Sequence, residues 1–226
     1  MTIRKALMAL DCTQILQCLD ETERELFRAA DDEECQRFHR SSQLSSVLLL
    51  LLRASSLLRS MLRVVQIRDL EDGFHLVARG FEETWNLAHD FRLSLHENRA
   101  MRWFAGKDKS WSARIGTLVD FAIGRGHRGP TLGRDYGLLS ELAHPTRAAA
   151  ENSVTLCGVR MGIPGAEDQI LAEQENCERR ITAALYRLLW LILDQDTKFL
   201  AIPVDEGSMP VSSEFVRNYK YVDPLT

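Results

Sequence analysis

The sequence predicts an all-α protein, and two observations lead to that fold class. Its 226 residues include only thirteen glycines and six prolines, whereas the helix-forming residues leucine, alanine, arginine and glutamate are abundant. Long segments also repeat apolar residues at intervals of three and four, which places those residues on one face of a helix. We therefore expect a single multi-helix bundle rather than an all-β sandwich.

Composition excludes several classes of protein. The chain has 28 basic and 32 acidic residues, a formal charge of −4, and 45% apolar residues, which excludes a disordered chain and a generally basic nucleic-acid coat. Five scattered cysteines without a Cys-x-x-Cys pair indicate a reducing, cytoplasmic compartment. The longest apolar run, Val47 to Leu52, is far shorter than the roughly 20 residues that cross a bilayer, so no membrane association is expected.

The first half of the chain predicts charged N-terminal helices over residues 1–40, followed by two core helices. Residues 20–40 are expected to form an exposed helix with Asp20 as its N-cap. Residues 44–67 predict a core helix. Its apolar stripe consists of Leu44, Leu48, Leu51, Leu58, Met61, Leu62 and Val65.

The helix expected over residues 70–98 has the clearest pattern in the chain. Its apolar stripe consists of Phe74, Val77, Phe81, Trp85, Ala88 and Leu95. A polar line runs beside that stripe on the helical wheel, formed by His75, Arg79, Glu82, Asn86, His89 and His96.

Residues 99–134 carry eight basic against two acidic residues, interleaved with aromatic residues. Basic side chains can neutralise phosphates while Trp103 or Trp111 stacks on unpaired bases, so this stretch is the strongest indication of a polyanionic partner. The alternative places the aromatic residues in the core and the charges in a solvated loop. The candidate nucleic-acid-binding residues are Arg99, Arg102, Lys107, Lys109, Arg114 and, further along, Arg147.

The remaining chain predicts a helix over 134–150, a loop or short extended segment over 151–166, and a last long helix that Asp168 opens. The core stripe of that helix consists of Ile170, Cys177, Ile181, Leu185, Leu188 and Ile192. Four further residues, Tyr186, Leu189, Trp190 and Leu193, widen the stripe beyond one packing face, which predicts a homodimer. We expect one helical domain over 1–202, with its core at 44–195, and a non-helical arm over 203–226.

Three short motifs give the chain a resemblance to a known family of proteins. The chain contains Arg79-Gly80-Phe81-Glu82, Tyr136-x-x-Leu139-Ser140 and His144-Pro145. Over residues 44–195 this arrangement resembles an uncharacterised family of bacterial helical proteins grouped with the HEPN-like domains. The resemblance implies a defence- or toxin-type protein, as in phage defence and toxin–antitoxin systems, that binds or cleaves RNA. Many HEPN-like members are metal-independent RNases whose signature is an Arg, a polar residue and then a His.

The matching stretch here is Arg68-Asp69, with His75 after six intervening residues. A histidine can take the proton of a 2′-hydroxyl and an arginine can stabilise charge on the phosphate, so no metal or other cofactor is required. The alternative makes Arg68 a helix C-terminal charge and His75 a surface residue.

A second candidate cluster combines Arg79, Glu82 and His144. In the structural interpretation Arg79 and Glu82, three residues apart, form an ion pair that fixes two core helices to each other. In the functional interpretation the cluster forms the floor of a groove, where an acidic ligand meets Arg79, Arg147 and His144.

A metal site is a further alternative. Glu141-x-x-His144 has the spacing found in di-iron bundles, Asp72-x-x-His75 imitates it, and Glu82 or Glu83 would supply a bridging carboxylate. Because the sequence lacks a second Glu-x-x-His, we expect no metal and no cofactor.

The leading functional hypothesis is a HEPN-like protein that binds or cleaves RNA. The alternative is a non-catalytic helical interaction module whose groove binds a nucleotide or a partner protein, such as one encoded nearby.

Overall fold

The computed structural model describes residues 11–31, 43–66, 72–93, 97–106, 154, 161, 166–194 and 200–219. These residues form α-helices, one short 3-10 helix and connecting segments, and none of them forms a β-strand. The all-α fold class is therefore confirmed. The α-helices are α1 (Cys12–Asp31), α2 (Gln43–Gln66), α3 (Asp72–Leu93), α4 (Glu97–Phe104), α5 (Ala166–Leu193) and α6 (Pro210–Asn218).

Helix α2 lies at the centre of the bundle, where it packs against α1, α3, α4 and α5. The predicted core stripe is confirmed, since Leu48, Leu51, Leu58, Leu62 and their neighbours on the same face are buried. Because α2 packs against four helices, only a narrow face of it is left for polar residues. This accounts for its run of leucines.

Helix α1 starts earlier than predicted and is not an exposed helix. The Asp11 carboxylate accepts a hydrogen bond from the Gln14 amide at 3.0 Å and so caps the helix, whereas Asp20 lies in the helix interior and pairs with Arg59. One face of α1 is buried, including Leu19 and Leu26. The abundance of charge concealed this face, because some of the charged residues are themselves buried.

The apolar stripes of α3 and α5 are confirmed over the residues whose burial the structure describes, which leaves out Leu95 and Ile170. On α3, Phe74, Phe81, Trp85 and Ala88 are buried, and on α5 the buried stripe consists of Cys177, Ile181, Leu185, Leu188 and Ile192. Helix α5 begins at Ala166, two residues before Asp168.

A buried arginine joins the end of α3 to the end of α5. Arg92 is 1% exposed and donates from Nε to the Leu200 carbonyl at 3.0 Å, from Nη1 to the Leu191 carbonyl at 2.6 Å and from Nη2 to the Asp194 carbonyl. The last carbonyls of a helix lack intrahelical partners and carry partial negative charge, so a cation there is favourable. The Leu200 amide in turn donates to the Arg92 carbonyl at 3.0 Å.

The prediction of a non-helical arm from residue 203 is wrong. A 3-10 helix covers Glu206–Ser208, and α6 follows and packs against α1 and α5. Pro210 lies in the first turn of α6, where its missing N–H costs nothing. Met209, Ser212 and Phe215 are buried. A helix of nine residues is too short to be stable without such tertiary contacts.

Helix α1 holds the segment that leads to α6 through two charged side chains. The Arg28 guanidinium donates to the Pro203 carbonyl at 3.0 Å. The Glu25 carboxylate, 4% exposed as a residue, pairs with Arg28 at 2.8 Å and accepts the Asp205 amide at 3.2 Å.

A third α1 side chain, Glu21, caps α6 from outside the helix. Its carboxylate accepts the amides of Val211 at 3.2 Å and Ser212 at 2.9 Å, and the Ser212 hydroxyl at 2.7 Å. The N-terminal amides of a helix lack intrahelical acceptors and carry partial positive charge, so a carboxylate satisfies both needs. Glu21, Glu25 and Arg28 are spaced by four and three residues and therefore share one face of α1.

Helix α6 and the residue after it pack against part of the wide face of α5 that predicted a dimer. The Tyr219 ring lies 5.1 Å from the Tyr186 ring, and Trp190 and Leu193 border residues of α6. Part of the extra apolar width is thus used within one chain, and the homodimer stays a prediction. The predicted helix at 134–150, most of the segment at 151–165 and residues 107–134 of the basic stretch lie outside the described residues.

We predict that Glu21→Gln lowers the free energy of unfolding by about 1 to 3 kcal/mol. The glutamine NH2 group would take the place of one carboxylate oxygen, so a donor would face a backbone N–H of α6 that has lost its acceptor. Urea denaturation followed by circular dichroism measures the change. The control is Glu214→Gln, an exposed residue of α6. Equal stability of the two variants would contradict the capping role of Glu21.

Candidate functional site

The polar line of α3 lies mostly inside the protein. His75, Glu82, Asn86 and His89 are each at most 5% exposed, and Arg79 is half-buried. His96 lies outside the described residues. Buried polar groups need partners, so the partners of these residues decide what each can do.

Glu82 forms a buried ion pair with Arg187 of α5. Arg187 Nη1 donates to Glu82 Oε2 at 2.9 Å and Nη2 donates to Oε1, and the two side chains are 2% and 5% exposed. The guanidinium carbon lies 5.5 Å from the Phe81 ring centroid and 5.4 Å from that of Trp85. Trp85 Nε1 also donates to the Arg187 carbonyl at 2.9 Å. This geometry is that of a structural clamp between two core helices.

Sequence reasoning missed Arg187. Its available signal is an isolated charge within the apolar run from Leu185 to Trp190, a position where an arginine is seldom buried without a partner.

The sequence predicts an ion pair of Arg79 with Glu82. Among the described residues, Arg79 instead pairs with Glu83. Arg79 Nε lies 3.0 Å from Glu83 Oε1, with the side chains 20% and 32% exposed. Both spacings are allowed on a helix surface. Arg187 engages both oxygens of Glu82, which explains why Arg79 pairs with Glu83.

His75 is a core residue and not the surface residue of the structural interpretation. Its side chain is 1% exposed, and Nε2 lies 3.4 Å from Glu173 Oε1 on α5. The same carboxylate faces the Cys177 thiol, whose sulfur lies 3.9 Å from Glu173 Oε1. Burial raises the pKa of that thiol, which keeps it protonated. Arg68, the other half of the RNase signature, lies outside the described residues.

His89 lies between two tryptophans. Its ring stacks on Trp85 at 4.9 Å with an interplanar angle of 8° and lies 6.0 Å from Trp190. One turn earlier, the Asn86 amide donates to the Glu82 carbonyl at 2.8 Å. His89 therefore contributes to the contact between α3 and α5, whereas the hydrogen bond of Asn86 lies within α3.

One of the basic residues assigned to RNA is part of an internal ion pair. Arg99 Nη1 lies 3.3 Å from Asp90 Oδ2, which joins α4 to α3, while Arg102 is exposed. The other nucleic-acid candidates, Lys107, Lys109, Arg114 and Arg147, lie outside the described residues, as does His144.

The metal alternative also depends on residues beyond the described ranges, Glu141 and His144. Among the residues that the structure describes, no three His, Cys, Asp or Glu side chains form a group that could hold a metal ion.

A groove of about 660 Å³ lies between the end of α5 and the segment from the 3-10 helix to α6. This volume is in the range of sites that bind small molecules or side chains. We call it the α5–α6 groove. The described residues that line it are Trp190, Leu193, Asp194, Glu206, Gly207, Pro210, Ser213, Glu214, Val216 and Arg217.

Comparison of the chain with family models, with curated proteins and with solved structures gave no match. None of the described helices is both long enough and apolar enough to span a bilayer.

We predict that Arg187→Met lowers the free energy of unfolding by about 3 to 5 kcal/mol, because it leaves the Glu82 carboxylate buried without its partner. The double variant Glu82→Leu/Arg187→Met should regain most of that loss, since an apolar pair leaves no buried charge. Urea denaturation of the singles and the double gives the coupling energy.

The control for this pair is Glu83→Gln, which removes a more exposed ion pair on the same helix and should cost about 1 kcal/mol or less. Additive losses in the double variant would show that Glu82 and Arg187 do not act as a pair.

Proposed function

We propose that this chain is a non-catalytic helical interaction module, of the HEPN-like type that its sequence resembles. The observation that carries the proposal is the buried pair of Glu82 with Arg187, which uses both carboxylate oxygens of a candidate catalytic residue inside the core. The polar line of α3 then holds helices together and leaves recognition to the surface.

The burial of His75 supports the same conclusion. A general base must come within hydrogen-bonding reach of the proton that it removes, and a 1% exposed imidazole beside Glu173 is separated from a polymeric substrate by the protein itself. Arg99, a phosphate-binding candidate, is likewise engaged by Asp90 at 3.3 Å, although its side chain is 33% exposed.

The competing function is metal-independent RNA cleavage by Arg79 and His144. It is supported by the partial exposure of the Arg79 side chain, 20%, and by the exposed Arg102. It depends otherwise on the sequence resemblance and on the basic stretch 99–134, of which the structure describes residues 99–106.

The cysteines are consistent with a protein that works in the reducing cytoplasm. Cys12, Cys18 and Cys177 are free thiols, and Cys18 and Cys177 are buried. Burial, the main cause, raises the pKa of Cys18 to about 11, so this thiol is protonated at neutral pH and serves as a small core residue.

We predict that the purified protein does not cleave RNA, either in EDTA or with added Mg²⁺ or Mn²⁺, because Glu82 and His75 are held inside the core. The measurement is gel analysis of a labelled single-stranded RNA, with a known metal-independent ribonuclease as positive control.

The contrary outcome is equally specific. Cleavage that persists in EDTA, leaves 2′,3′-cyclic phosphate ends and disappears in His144→Ala at unchanged melting temperature would establish the RNase instead. His75→Ala is the matched variant, and we expect it to lower stability and to leave any cleavage per folded molecule unchanged.

A further inference from the structure

The α5–α6 groove has an acidic rim. Among the described residues that line it are three acidic residues, Asp194, Glu206 and Glu214, and one basic residue, Arg217. Glu206 and Glu214 are exposed, and their carboxylates make no hydrogen bond or ion pair with the rest of the described chain. Negative charge therefore exceeds positive charge among the described residues that line the groove.

The groove also borders the N-terminus of a helix, which would ordinarily attract an anion. In this protein the first amides of α6 are already bound, because Glu21 accepts the N–H groups of Val211 and Ser212. A phosphate that entered the groove would meet the acidic rim without gaining these amides. The charges around the groove therefore do not favour a nucleotide as its occupant.

Apolar groups form the rest of the lining. Trp190 is half-buried and lines the groove beside Leu193, and Pro210 and Val216 line it from the side of α6. An indole next to carboxylates suits a long cationic side chain, because the aliphatic stem packs on apolar surface while the charged end meets the ring or the carboxylates.

We infer that the α5–α6 groove binds an arginine- or lysine-bearing segment of a partner protein, with apolar residues next to the cationic ones. The inference rests on the proposed interaction module and specifies its partner class. The negative charge of the groove complements the cationic segment, and Glu21 already binds the α6 amides that could hold a phosphate. Both features favour a protein over a nucleic acid as the partner.

The test is a titration of the full chain with a fluorescein-labelled peptide of eight residues that alternates arginine and leucine, read by fluorescence anisotropy. The matched peptide carries glutamate in place of arginine. We expect saturable binding of the arginine peptide, weakening as salt is raised, and no binding of the glutamate peptide. Failure of the arginine peptide to bind would overturn the inference.

Charge variants locate the site. Glu214→Gln should weaken binding of the arginine peptide about two- to fivefold, and Glu206→Gln/Glu214→Gln about tenfold, as expected for exposed charge pairs that add. The control, Glu175→Gln, changes net charge equally but lies about 22 Å along α5 from Trp190, beyond the Debye length of about 8 Å, and should leave Kd unchanged. Equal effects of Glu214→Gln and Glu175→Gln would overturn the location.

The Arg217→Gln variant tests whether the groove prefers a cation or an anion, because the two cases predict opposite changes in affinity. Removing this cation, the basic residue among the described lining residues, should tighten binding of the arginine peptide about two- to fivefold, whereas a groove built for phosphate would respond by binding an anionic ligand less well. A single-stranded RNA of eight nucleotides should fail to compete with the peptide, and competition that depends on Arg217 would overturn the choice of a protein partner.

The two proposals fail separately. Cleavage of RNA by the purified protein contradicts the non-catalytic module whatever the peptide does, while absence of both cleavage and peptide binding removes the cationic partner and leaves the module itself standing.

Discussion

The buried pair between Glu82 and Arg187 is the interaction on which the core of this protein depends. Two charges taken out of water at the contact of α3 and α5 are tolerable only together, so the helices are held in the one register that joins them. The indole of Trp85 adds a hydrogen bond to the Arg187 carbonyl, and Arg92 fixes the far end of the same helix pair. The polar line of α3 therefore serves the packing of helices in the core.

How far the sequence predicts this structure depends on which physical signal each element carries. Helices α2, α3 and α5 are long and bury apolar stripes, and three- and four-residue spacing reveals such stripes directly. The last helix, Pro210–Asn218, was missed because nine residues have little intrinsic helicity and its stability comes from the distant Glu21. No local pattern records a cap that is supplied from another part of the chain.

The candidate site shows a similar division. The polar line on α3 was recognised from its spacing, but spacing does not distinguish a neighbour on the same helix from a partner on a facing helix. Arg79 and Glu82 were therefore paired with each other, whereas Glu83 and Arg187 are their partners in the structure. Charged residues of α1 were assigned to solvent for the same reason, although Glu21 and Glu25 are buried beneath the C-terminal segment. The α5–α6 groove arises only from tertiary packing.

The contact between Glu21 and α6 has a consequence for synthesis of the protein. It joins residues 190 positions apart, so α1 cannot bury its polar face until those intervening residues have been translated. At bacterial and eukaryotic rates of about 5 to 20 residues per second, this interval is about 10 to 40 s. During that time the Glu21 carboxylate lacks the amides of Val211 and Ser212, so this face of α1 stays in contact with water. Helix α1 therefore completes its packing only after residue 211 has been translated, however early the rest of the helix forms.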